Sequence, residues 1–140
     1  MAVNRQSTNL LVSLSKWASG QQENFLSDAF VHLMNLLAQD SPEAFAEIIG
    51  QMTDGILRPT DESAQDFALV SQVDTSEGTP DIEIDGPNAY ALVEVKDESP
   101  VDIGQVERYL TLVERNQCRS KCLILLTKYQ PPLLPGSPLL

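Results

Sequence analysis

The sequence is poor in the residues that most often build reactive or cross-linked sites. It holds two cysteines, one histidine and one tryptophan in 140 residues. Two thiols do not staple a secreted disulfide scaffold. Cys118 and Cys122 have no second pair and no neighbouring histidine, which leaves them short of the about four ligands that structural zinc takes. The apolar runs, of which Cys122–Leu126 is typical, fall far below the ~20 residues of a membrane crossing. Met1 to Gln6 lacks the apolar segment of a signal peptide, so the expected compartment is the cytoplasm, with no membrane partner. Cations are scarce as well. Nine Lys+Arg stand against 20 Asp+Glu, for a net charge of −11 and a pI near 4.3. A field of that sign repels polyanions, which disfavours gripping nucleic acid through general basicity. Any phosphate chemistry has to depend on a metal ion or on a local basic strip.

What is present is the balance of a folded chain, with 42% hydrophobic residues and a mean hydropathy of −0.13. The length suits one core, expected over residues 1–130. Pro131, Pro132, Pro135 and Pro138 mark 131–140 as an irregular tail, or the start of a connection to a further domain past Leu140. Leu10, Leu14 and Trp17 predict a short amphipathic helix over Ser7–Ala18. A second, largely buried helix is expected from Gln22 to Ala38, with Leu26, Ala29, Phe30, Leu33 and Leu37 as its apolar stripe. A third begins at Ser41-Pro42-Glu43, with Ser41 as cap and Phe45, Ile48, Ile49 and Met52 facing inward.

Past a loop the period changes to two. Gln65–Asp74 predicts a strand with Phe67, Leu69 and Val73 buried, and Ile82 and Ile84 predict a second. Tyr90–Lys96 predicts a third, with Ala91, Val93 and Val95 on one face and Tyr90, Leu92, Glu94 and Lys96 on the other. Short turns make these an antiparallel meander. Ile103, Val106, Leu110 and Val113 return to helical spacing over Asp102–Asn116, and Lys121–Lys128 is a last strand whose apolar centre predicts burial on both faces. The expected class is therefore α/β with a mixed sheet, the last helix forming a crossover.

The chemistry concentrates where the second and third strands meet. A turn at Gly86–Asn88 with Asp85 opposite Tyr90 places Glu83 opposite Leu92 and Asp81 opposite Glu94. Opposed Cβ atoms sit about 4.5–5.5 Å apart, and two ionised carboxylates at that range repel by roughly 3 kcal/mol at an effective dielectric near 20. Such a pair needs a cation or a shared proton. Lys96 projects from the same face, and an oxygen-rich pair of this kind suits Mg²⁺. The alternative from periodicity alone is a solvated strand face with weak surface ion pairs. The run Asp81-x-Glu83-x-Asp85-Gly86 mimics the start of a calcium loop, but its twelfth position is Leu92 and its flanks read as strands.

Pro80-Asp81 followed by a strand ending Glu94-Val95-Lys96 resembles the motif of the PD-(D/E)XK nuclease superfamily, and the element order resembles its restriction-endonuclease-like αβββαβ core, here with extra N-terminal helices. The resemblance spans roughly Glu23 to Lys128. It implies that Asp81, Glu94, the carbonyl of Val95 and, as accessory ligand, Glu23 bind Mg²⁺ or Mn²⁺. It further implies that Lys96 positions or activates a water and that Gln105, in a Gln-x-x-x-Tyr pattern with Tyr109, orients Lys96 or a phosphate. The implied activity is phosphodiester hydrolysis, with DNA as substrate; the acidic excess predicts weak DNA affinity for this domain alone, and cutting both strands of a duplex favours a homodimer. Arg108, Arg115, Arg119, Lys121 and Lys128 are the local cations on offer. The competing expectation, favoured by the acidic balance, is a catalytically inactive nuclease-fold module that binds a protein partner.

Overall fold

A computed structural model of the chain describes residues 22–96 and 100–127, with side chains from Asn24 onward. The expected helix at Ser7–Ala18, the proline-rich residues 131–140, Lys128 and the side chain of Glu23 lie outside the described residues. Those described form a mixed α/β structure of three helices and one four-stranded mixed sheet. Helices α1 (Gln22–Asp40) and α2 (Pro42–Met52) precede strands β1 (Ala68–Ser71), β2 (Ile82–Gly86) and β3 (Ala89–Lys96). Helix α3 (Ile103–Arg115) and strand β4 (Ser120–Thr127) follow. The sheet order is β1-β2-β3-β4, antiparallel through β3 and parallel between β3 and β4, so α3 is the crossover. No described helix is long and apolar enough to cross a membrane.

Two apolar clusters lie on opposite faces of the sheet. On one face Ile82, Ile84, Ala91 and Val93 meet Val31, Met34 and Ala38 of α1 and Phe45 and Ile49 of α2. On the other, Tyr90 and Leu92 meet Tyr109 and Val113 of α3. The face of α1 differs from the expected one. Its buried side is Ser27, Val31, Met34 and Ala38, while Leu33 and Leu36 are exposed, Leu36 by 57%. The apolar arc of this helix covers well over half of its circumference, opposite a stripe of Asn24, Asp28, His32, Asn35 and Gln39, and leaves the choice of face within that arc to its neighbours. Tyr109 likewise takes the inward place expected of Leu110.

Helix α2 starts at Pro42, where a missing N–H is harmless, but the Ser41 side chain makes no capping bond. It ends with Asp54 at φ 51°, Asp54 N donating to Gln51 O and Gly55 N to Gly50 O, the paired bonds of a Schellman stop. Strand β1 is shorter than expected. Ala64–Asp66 forms a 3₁₀ turn before it, and Gln72, at φ 55°, ends it. Its outer edge is held by Asn35 of α1, whose amide donates to Leu69 O at 2.9 Å and accepts from Leu69 N at 3.1 Å.

The β2–β3 hairpin has the expected register, with Asp85 opposite Tyr90 and Glu83 opposite Leu92. Pro87 and Asn88 form its two-residue loop, Asn88 taking a left-handed φ of 54°. The tip is tied to the start of β4, because Asn88 accepts Arg119 N on its side chain and Ser120 N on its carbonyl. The expected burial of β4 on both faces is not observed: it is an edge strand of the sheet, and Ile124 alone of its residues is buried. Cys118 packs under α3 and Cys122 against the other cluster, where burial pushes its thiol up to about 11.

Gly86 is set by close approach. A Cβ built there would lie 2.5 Å from the ring of Phe67, which itself packs edge-on against Phe45 with centroids 5.7 Å apart. Gly86→Ala is expected to destabilise the fold by about 1–3 kcal/mol, the usual cost of overpacking, read as a lower urea midpoint. An unchanged midpoint would show that the Phe45–Phe67 pair shifts freely.

Candidate metal centre

The period of two that sends Ile82 and Ile84 into the core sends Asp81 and Glu83 to the α3 face, and β3 sends Glu94 and Lys96 there with them. Asp81 sits one residue before β2, at the end of the sheet away from the hairpin loop. Both carboxylates are buried, Asp81 at 6% and Glu94 at 5% exposure. The expectation of a merely solvated strand face therefore fails for this pair.

Asp81 is held from two sides. Its Oδ2 accepts the backbone N–H of Val95 at 2.7 Å, and its Oδ1 accepts Nε2 of Gln72 at 3.1 Å. Lys96 Nζ stands 3.3 Å from Glu94 Oε1, with only 13% of its side chain exposed. Glu94 Oε2 is buried and meets no N–H or O–H donor; when the Glu94 carboxyl carries a proton, it hydrogen-bonds Asp81. Burial first, and then the negative charge of Asp81, hold the Glu94 carboxyl up at about 7, against the partial opposition of Lys96.

Helix α3 closes the site from above. Asp102 caps it by accepting Gln105 N, which fixes the first turn from which Gln105 projects. Gln105 Nε2 reaches Tyr109 OH at 3.3 Å, while Gln105 Oε1 is a second buried oxygen that meets no donor. Burial first, and then the charges of Glu94 and, more weakly, Asp81, raise the Tyr109 hydroxyl against the opposing hydrogen bond from Gln105. The Tyr109 ring packs on Gly78, where a Cβ would come within 3.3 Å of it.

Asp81, Glu94, Val95 and Lys96 are thus gathered at one end of the sheet, while the described side-chain bond of Gln105 goes to Tyr109. Glu23 is the second residue of α1, and its neighbour Asn24 joins the same network through Gln72. Gln72 and Asn24 escaped the sequence reading, since neither belongs to a motif and the left-handed backbone at 72 carries no composition signal. Of the cations expected to supply a basic strip, Arg108 and Arg119 are exposed, Lys128 lies outside the described residues, and two are engaged within the fold. Arg115 pairs with Glu77 at 3.4 Å, and Lys121 donates to the carbonyls of Glu114 and Asn116 at the end of α3.

The donor set fits a hard divalent ion. Two buried carboxylates, one with an oxygen that meets no donor, are what a Mg²⁺ site holding several waters asks of a protein. Among the described residues no third histidine, thiol or carboxylate completes a larger cluster. Neither a family model, nor a curated protein, nor a solved structure matches the chain.

A carboxyl that ionises near 7 rather than 4.5 binds its proton more tightly folded than unfolded. The stability this contributes is complete below about 4.5 and is lost as pH climbs through about 7. Between pH 5 and pH 8 without metal, the wild type is expected to lose on the order of 2–3 kcal/mol from this group. Glu94→Gln should remove that part of the pH dependence and exceed the wild type in urea midpoint at pH 8. A Gln variant no more stable there would contradict the assigned electrostatics.

Proposed function

We propose that the protein is a divalent-metal-dependent nuclease with a restriction-endonuclease-like core of the PD-(D/E)XK type, hydrolysing phosphodiester bonds in DNA. The observation that carries this reading is the pair of buried carboxylates, Asp81 and Glu94, sharing one end of the sheet with Lys96 and with one oxygen that meets no donor. The element order α1, α2, β1-β2-β3, α3, β4, with a parallel β3–β4 pair, supports it as consistent with that core carrying one extra helix before β1. Asp81 and Glu94 would hold Mg²⁺ or Mn²⁺, with the carbonyl of Val95 and Glu23 as further donors. When bound, such an ion lowers the pKa of an attacking water and offsets charge on a phosphoryl oxygen.

The chain's own groups have separable tasks. Lys96 keeps its ammonium at the Glu94 carboxylate, from which Nζ can donate to the water or to the oxyanion as the P–O bond breaks. Gln105 offers an unused carbonyl oxygen to a water or to Lys96, its amide being spent on Tyr109. A second reading has an observation of its own. The net charge of −11, with Arg115 and Lys121 engaged within the fold, favours an inactive module that binds a basic protein partner.

Plasmid DNA incubated with Mg²⁺ or Mn²⁺ decides between them. Cleavage is expected, abolished by chelator, and reduced at least about a hundredfold in Asp81→Ala and in Lys96→Ala, in line with the loss of a charged group acting on the transition state. Full cleavage by both variants, or none by the wild type with either ion, would sink the nuclease reading.

A further inference from the structure

Gln72 stands where β1 stops, and three bonds leave it. Its backbone N–H donates to Asp81 O at 2.9 Å, and its side-chain Nε2 donates to Asp81 Oδ1 at 3.1 Å and to Asn24 Oδ1 at 3.3 Å. Its backbone lies at φ 55°, a region that disfavours every residue with a Cβ and in which Asn or Gly would sit with less strain. The residue is exposed, so its ordered side chain is not explained by packing, and a long amide fixed at the surface loses rotamer freedom. Ending a strand needs neither the strain nor the ordering. What they achieve is an N–H aimed at one oxygen of Asp81 while Val95 N–H takes the other.

We propose that Gln72 is a positioning residue for Asp81, a role that rests on the metal-centre reading above. Each Asp81 oxygen has two lone pairs. With Gln72 on Oδ1 and Val95 on Oδ2, the carboxylate plane is fixed, and the remaining lone pairs are those that the protonated Glu94 carboxyl meets and that an ion would take over. Asn24, in the first turn of α1, accepts the second hydrogen of the same Gln72 amide and so keeps its nitrogen, rather than its oxygen, toward Asp81. The left-handed backbone is what turns the side chain across the end of the sheet instead of out along β1.

Gln72→Asn separates the amide from the backbone. Asn keeps the functional group and suits a left-handed φ better, but is one methylene too short to reach Asp81. Titration calorimetry with Mn²⁺ on the full chain is expected to show Kd weakened about 10–100-fold, the usual effect of losing a partner of a metal ligand, with the thermal midpoint held or raised. Gln72→Gly, which removes all strain at the position, should show the same loss and guards against an ill-folded Asn variant. In the cleavage assay saturating Mn²⁺ should return kcat of both variants toward wild type, a rescue that a purely structural defect would not give. Wild-type binding with both variants within about twofold of it would overturn this inference alone. No Mn²⁺ binding by the wild type would overturn the metal-centre reading and this inference with it.

Discussion

Everything at the candidate site follows from one pairing register, Asp85 against Tyr90 in the β2–β3 hairpin. Because side chains alternate between faces, that register decides the core and the site together. Slipped by one residue, it would turn Ile82 and Ile84 toward α3 and bring acidic residues against α1. Burying Ile82, Ile84 and Val93 completely is worth roughly 5–9 kcal/mol at about 1.5–3 kcal/mol each. That exceeds the roughly 3 kcal/mol by which two close carboxylates repel, so the apolar face holds the acidic one in place. The two-residue loop at Pro87–Asn88, pinned to β4 through Asn88, leaves the hairpin no slack in which to shift.

The electrostatics of the pair explain what surrounds it. A buried carboxylate is tolerated when donors or a cation meet it, and Asp81 has two donors while Glu94 has Lys96 on one oxygen only. The unbalanced oxygen, not the overall charge, is what distinguishes this end of the sheet from the rest of an acidic surface. The acidic excess elsewhere acts differently. It draws Arg115 to Glu77, while Lys121 is taken up by the carbonyls ending α3, so these cations serve the fold.

Strand periodicity and turn chemistry made the hairpin legible from the sequence, down to which residues face each other, and the crossover through α3 was equally plain. The face of α1 was not, because Phe25, Leu33 and Leu36 are apolar yet exposed, and an apolar arc that covers well over half of the helix does not say which part of it is buried. The ends of β1 were hidden because a 3₁₀ turn and one left-handed residue, both tertiary choices, cut an alternating pattern that continues on either side. The apolar run of β4 suggested a central strand, whereas its place at the edge depends on where α3 delivers it. At the site, Asp81, Glu94 and Lys96 were legible as a motif. Gln72 was not, since its part depends on a backbone angle.

The Asn35 amide on Leu69 gives the sheet a direction. A side chain that donates and accepts like one residue of a neighbouring strand leaves little on β1 for another backbone to grasp. Among the described residues β4 carries no partner on its outer side, and it is twice as long, uncharged from Cys122 to Thr127, and largely apolar. Templated growth by β-pairing, the first step of most sheet aggregation, is thus blocked at one edge by a single amide and left to the other.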